Sequence, residues 1–398
     1  MAGATASEEL GAGLIVSMAP SPILELPERI RALPGDVRAR AERLYEVHTA
    51  TAHTVPPPEL EDWIVSRFAS LAAVREQRMV HVTNRATLDT TTFAPLRARR
   101  PIDGVGGAIN DGGGAGDGDA NRLRDEIRAT EGDPFCHPET GTPASEFGRV
   151  RGASTITGAN AAAADEHHGV IVFDTHDPLD FDAGLIADVF ATGREWARRA
   201  ARASPGAVNY LLIWNCLWRA GGSIVHGHAQ VVVGRGRPAG QLDRWRHAAR
   251  VHRAATGAAL VDDIVAVHRG LDLAIDLADG VSVVAHLTPV KEREVLVIGG
   301  GVADELAPAF SAAVAGTLLA LRDRLGVRSF NLGLWTPPLD GVADDDAASL
   351  PVMARIVDRG APFERPSDIG AMELYGSTLV SSDPFLVAAE LREALARG

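Results

Sequence analysis

The stretch "GGSIVHGHAQVVVG", residues 221–234, sets two imidazoles and a carboxamide in a run otherwise composed like a buried strand. Side chains alternate faces along an extended chain. On that reading His226, His228 and Gln230 share one face, and Val225, Gly227 and Ala229 the other. A buried polar group without a partner costs on the order of 1–3 kcal/mol, so three in line must face a site, a metal or a hydrogen-bond network. H-x-H suits two chemistries. Both rings can hold one metal ion, or one can be a ligand and the other a nucleophile. Neutral imidazole attacks phosphorus and leaves readily from the adduct. Its second nitrogen must then give its proton to a fixed acceptor, and Gln230 is placed to meet phosphoryl oxygens.

The elements that must carry these groups are legible around them. "GVIVF" (169–173) reads as a buried strand, "DAGLIADVFATGREWARRAARA" (182–203) as a helix, "NYLLIWNCLW" (209–218) as a strand, and "SIVHGHAQVVVG" as another. A similar order returns in "EVLVIG" (294–299), the helical 304–326, "SFNLGLW" (329–335) and "VMARIVDRG" (352–360). Asn209 and Asn331 fall at equivalent places, which points to a duplicated β-α-β-β unit. The histidines occur only in the first copy, so one chemical site per pair is expected. Residues 1–79 read as a partly helical lead-in, 80–240 as the first unit and 241–398 as a second, degenerate one. The Gly/Asp-rich stretch 103–121 lacks the Lys-Ser/Thr ending of a phosphate loop and reads as a flexible insertion.

Composition narrows the class. The chain has 398 residues, 46% of them hydrophobic, with a formal net charge of −13 and scattered acidic groups. Without a basic stripe there is no case for nucleic-acid binding, and any phosphate must be met by a few placed groups. The two cysteines, Cys136 and Cys216, fit a reducing compartment better than a disulfide scaffold. The first residues lack the basic region of a signal peptide, and no apolar run reaches the roughly 18–20 residues of a membrane span. A cytoplasmic protein is expected.

The segment "NCLWRAGGSIVHGHAQ" resembles the active-site segment of the galactose-1-phosphate uridylyltransferases, a branch of the histidine-triad superfamily. Asn215, Gly221, Ser223, His226, His228 and Gln230 fall in register, with Gly227 where that family has proline. "NRATLDTTTFAPLRARRP" (84–101) resembles the family's N-terminal segment, and "FNLGLWTPP" and "MELYGSTLVSSDP" resemble pieces of its second half. The resemblance implies an α+β fold: two duplicated half-barrel units forming one antiparallel sheet with helices packed on it. It implies His228 as the nucleophile that accepts a nucleoside monophosphate, with Gln230 and Ser223 on the phosphoryl group. Arg97, Arg100, Asn160, Asn215, Gly221 and Gly222 would line the nucleotide phosphates. It also implies a homodimer with the site between subunits.

The same resemblance implies a structural zinc held by Cys136, His176 and His226, with Asp133 where the family has a further cysteine. A second metal cluster is not implied, because its positions read Trp335, Ala354 and Ile356. Glu373 matches a sugar-contacting glutamate, while Leu379 and Ser367 stand where a glutamine and a lysine are usual. The implied activity is transfer of a nucleoside monophosphate from a nucleotide sugar to a phosphorylated acceptor, with the acceptor side rewritten. Phosphorolysis or hydrolysis by the same histidine, and nucleotide binding without turnover, are the alternatives.

Overall fold

The computed structural model describes residues 21–99, 117–236, 239–301, 304–339, 350–363 and 369–396. Its thirteen strands are β1 (Tyr45–His53), β2 (Glu76–Asn84), β3 (Thr90–Phe93), β4 (Thr155–Ala159), β5 (His167–Phe173), β6 (Asn209–Cys216), β7 (His228–Gly234), β8 (Ala274–Asp276), β9 (Val281–Ala285), β10 (Val295–Gly299), β11 (Phe330–Trp335), β12 (Val352–Asp358) and β13 (Ser377–Val380). Nine form one sheet in the order β4-β5-β7-β6-β11-β12-β10-β9-β8, and every pairing in it is antiparallel. The order is nearly palindromic about the β6–β11 seam. The first half is a pair of strands, a long helix and a second pair of strands, and the second half repeats this with β8 added at the outer edge, so the repeat is one strand longer than the β-α-β-β unit read from sequence.

Alternation fixes how the sheet sits. Tyr210, Leu212, Trp214 and Cys216 of β6 are buried, while Asn209, Leu211, Ile213 and Asn215 are only partly covered. The first set belongs to the core shared with the helices Ala183–Ala203 and Pro308–Asp323. The first of these is started by the Asp182 carboxylate, which accepts from Leu185 N–H at 2.8 Å. It buries Ile186, Val189, Phe190, Trp196, Ala197 and Ala200 at helical spacing. The other face, carrying Asn215, is the one open for chemistry.

A smaller sheet, β1-β2-β3-β13, is built from both ends of the described chain; β13 runs parallel to β3. The expected lead-in and first unit therefore share β2, which spans residue 79. Within the lead-in lie two short helices, Glu61–Phe68 and Leu71–Arg75, divided at Ala69 in the left-handed conformation (φ 60°). Residues 103–116 of the glycine-rich insertion and Arg100 lie outside the described residues. Residues 117–121, read as flexible, instead open the helix Asp117–Arg128. No described helix is long and apolar enough to cross a membrane.

Candidate functional site

The strand that carries the chemistry starts later than its composition suggests. Residues 223–227 form bends and β7 begins at His228. The expected line-up of His226, His228 and Gln230 by strand pleat is thus corrected. His228 and Gln230 share one face of β7, whereas His226 lies in the preceding bend and is oriented on its own. The glycines at 221, 222 and 227 allow the bend where Ser223–Val225 alone would read as strand.

His226 donates from Nε2 to the carbonyl of Phe173 at 2.9 Å. This leaves Nδ1 as its bare nitrogen. His176 is arranged the same way, with Nε2 3.1 Å from the carbonyl of Ile127. The two Nδ1 atoms face one another at 3.0 Å, and Cys136 Sγ lies 3.4 Å from one and 3.5 Å from the other. Asp133 brings Oδ1 to 3.7 Å from His226 Nδ1. The four donor atoms lie within 4.8 Å of one another. Two lone pairs facing at that distance repel unless a cation sits between them. Zinc bond lengths of about 2.0–2.3 Å put tetrahedral donors roughly 3.3–3.8 Å apart, close to the spacings seen. Asp133 Oδ1 also caps the 3-10 turn Pro134–Cys136 through Phe135 N–H and Cys136 N–H, while its Oδ2 is buried with no hydrogen-bond partner. Gly132 N–H donates to Cys136 Sγ at 3.2 Å. The donor set fits a divalent metal, and carbonyls fix both imidazoles in the ligating tautomer.

Gly227 joins this group to the strand. Its N–H donates to the carbonyl of His176 at 3.0 Å, and its carbonyl accepts from Phe173 N–H at 2.9 Å. A Cβ there would lie 2.7 Å from the Phe173 ring and 3.1 Å from Thr175 O. A proline could not donate that bond, which accounts for glycine at this position.

His228 is buried, at 6% exposure. Its Nδ1 lies 2.8 Å from the carbonyl of His226, so the ring proton is on Nδ1 and Nε2 is bare. Burial holds its pKa, like that of His226, below the ordinary imidazole range, with the carboxylate of Asp133 opposing the shift in both. The Phe135 ring meets His228 edge-on at 5.0 Å between centroids, so the turn that carries Asp133 and Cys136 also walls the imidazole.

Around His228 the sheet supplies amides. Ile213 pairs with Gln230, which sets Asn215 beside His228 in the same register. Asn331 of β11 pairs with Asn215 across the seam, and its Nδ2 donates to Asn215 Oδ1 at 2.7 Å and to the carbonyl of Ala220 at 2.8 Å. Arg359 hydrogen-bonds Asn331 Oδ1 in turn. Asn331 was noticed in sequence only as a marker of duplication; nothing local signals its role, because its partner is 116 positions away. Gln230 Oε1 accepts from His168 Nε2 at 2.8 Å, and Asn160 Nδ2 lies 3.2 Å from the same nitrogen.

The remaining expectations separate. Ser223 is exposed in the bend. Gly221 caps the 3-10 turn Trp218–Ala220 at φ 89°, a conformation that favours glycine. The N–H groups of Gly221 and Gly222 donate to Trp218 O and Leu217 O, both at 3.0 Å. These two bonds close the turn. Leu217 before it is held at φ 67°, ψ 172°, with its side chain buried. Such strain costs on the order of 1–3 kcal/mol. Arg97 is exposed on the turn Pro95–Arg99 that leaves β3. Glu373 accepts from Lys291 Nζ at 2.7 Å. Leu379, in β13, pairs with Thr92, and Ser367 lies outside the described residues.

No protein-family profile and no curated protein matches the sequence. Solved structures do match the fold. An ADP-glucose phosphorylase from Arabidopsis thaliana, with bound ADP-glucose, superposes with a TM-score of 0.59 at 17% identity, covering 79% of this chain and 99% of that one. A GalT-like protein from Arabidopsis thaliana gives 0.54 at 18%, covering 66% and 92%. A uridylyltransferase gives 0.51 at 19%, covering 64% and 89%. The chain shares its fold with these solved structures, an ADP-glucose phosphorylase, a GalT-like protein and a uridylyltransferase.

Proposed function

We propose that the protein is a nucleotidyltransferase working through a covalent nucleotidyl-histidine on His228. The observation that carries this reading is the hydrogen bond from His228 Nδ1 to the carbonyl of His226 at 2.8 Å. It leaves the Nε2 lone pair for attack and steadies the ring when it becomes cationic. Nε2 attacks the α-phosphorus of a nucleoside diphosphate sugar, and the bond from phosphorus to the bridging oxygen breaks. A phosphate oxygen of the acceptor then attacks the same phosphorus and returns His228. Gln230 serves the phosphoryl oxygens through its amide. Asn215, braced by Asn331, flanks the imidazole; Ser223 joins Gln230 on the phosphoryl group, and Asn160 and the arginines Arg97 and Arg100 belong to the nucleotide side. Asp133, Cys136, His176 and His226 would hold a structural zinc, whose chemistry is to pin the Phe135 turn and the His226 bend in place.

A second acceptor, inorganic phosphate, is favoured by one observation. The carboxylate of Glu373, expected to contact a sugar, is engaged by Lys291 at 2.7 Å. One of the structures of similar fold is an ADP-glucose phosphorylase.

The test is intact-protein mass spectrometry after mixing with a panel of nucleotide sugars. A mass increase of one nucleoside monophosphate, lost in His228→Ala, is the expected result. Discharge by sugar phosphates or by inorganic phosphate then identifies the acceptor. Tight nucleotide binding with no adduct from any donor would instead mark a binding protein and sink the proposal.

A further inference from the structure

We infer that His168 is a positioning residue that sets which end of the Gln230 amide faces the phosphoryl group. This rests on the nucleotidyl-transfer reading above. A glutamine amide has two ends of nearly equal size and opposite polarity: its oxygen repels a phosphoryl oxygen and its NH2 binds one. Something must choose between them.

The choice is made on the neighbouring strand. His168, in β5, pairs with Val232 of β7. Gln230 is therefore its diagonal neighbour, within reach of a long side chain. Ala164 N–H donates to His168 Nδ1 at 3.0 Å. That occupies the Nδ1 lone pair and puts the ring proton on Nε2. Of the two groups near Nε2, Gln230 Oε1 at 2.8 Å is the acceptor. Asn160 Nδ2 at 3.2 Å carries hydrogens of its own, and Asn160 Oδ1 is taken up by Ala162 N–H at 3.0 Å. The loop that supplies the Ala164 amide is tied down at its far end, where Arg235 Nε donates to Glu166 at 2.8 Å. The chain of donors runs from loop amide to imidazole to Gln230 Oε1, and leaves Gln230 Nε2 as the end presented to the site.

Single-turnover labelling of His228 by a nucleotide sugar tests this. Removing a donor to a developing anion outright costs about 10²–10³ in rate. His168→Phe, which keeps the ring and frees the amide to invert, is expected to slow labelling by roughly tenfold to a hundredfold, with little change in donor affinity. His168→Gln restores an N–H near the Nε2 position and should recover most of the rate. Added to Gln230→Ala, His168→Phe should slow labelling no further, because its effect passes through that side chain. Wild-type rates in His168→Phe, or a full additional loss on top of Gln230→Ala, would overturn the inference while leaving transfer intact. A wild-type protein that never takes label overturns the transfer reading, and this inference with it.

Discussion

The carbonyl of His226 accepts the ring proton of His228 at 2.8 Å, while the side chain of His226 faces Cys136 and His176. One residue thus spends its backbone on one group and its imidazole on another. The candidate metal group and the candidate nucleophile are two residues apart in sequence and share that peptide.

Gly227 is the narrowest point. Alanine there drives Cβ against Phe173 and Thr175 O and is expected to cost about 1–3 kcal/mol. Proline adds the loss of the N–H bond to His176 O. Unfolding temperature and retained metal should fall in the order wild type, Gly227→Ala, Gly227→Pro. A Gly227→Pro variant as stable as the wild type would contradict the geometry.

Metal content tests the donor set directly. Elemental analysis of the purified protein should find about one zinc per chain, and chelation should lower the unfolding temperature. Asp133→Asn keeps a carbonyl to cap the turn but loses the charge, so it should lose zinc at lower chelator concentration. Asp133→Cys, a softer ligand, should hold it longer. Equal retention in all three proteins would remove Asp133 from the set.

Acid stability turns on the second half. His268 is fully buried; its Nδ1 donates to Ile264 O at 2.8 Å and its Nε2 accepts from Leu287 N–H at 3.2 Å. Burial pushes its pKa down to about 4. The unfolded chain takes up this proton near pH 6.5 and the folded one only near 4, so stability is full above about 6.5 and is lost as pH falls through that window. The contribution is about 3 kcal/mol by pH 4. Urea unfolding between pH 7.5 and 4.5 should show the decline, and His268→Gln should flatten it.

The halves are also tied by a buried ion pair. Arg194, in the first long helix, reaches Glu305 through Nε at 2.7 Å and again through Nη2. Glu305→Ala strands the guanidinium and is expected to cost about 3–5 kcal/mol. Arg194→Met combined with Glu305→Leu should regain most of that, read as the urea midpoint. If the double variant is weaker than Glu305→Ala, the pair stabilises beyond its mutual compensation.

What could be read from sequence was local. The spacing from Asn215 to Gln230 keeps its residues within one β6–turn–bend–β7 connection, so they stay close after folding. Cys136, His176 and His226 were reachable only through the resemblance, since spacings of 40 and 50 residues carry no periodic signal. Asn331 against Asn215, His168 against Gln230 and Lys291 against Glu373 are products of strand order, which composition does not encode. β1 went unread because "YEVHTATAH" is half polar and largely exposed. The early start assigned to the β7 strand came from Ile224 and Val225, whose apolar character outweighed the glycines around them.

The seam between β6 and β11 has one more consequence, for how the gene can be cut. Six residue pairs join the halves there, from Phe330–Cys216 to Trp335–Leu211. Expressed alone, either half would present an unpaired central strand, "NYLLIWNC" or "FNLGLW", with aromatic and aliphatic side chains and no charge. Such an edge invites pairing with any like strand. Separated fragments of this protein should therefore precipitate or re-pair with one another, and co-expression of the two halves is the arrangement that keeps them in solution.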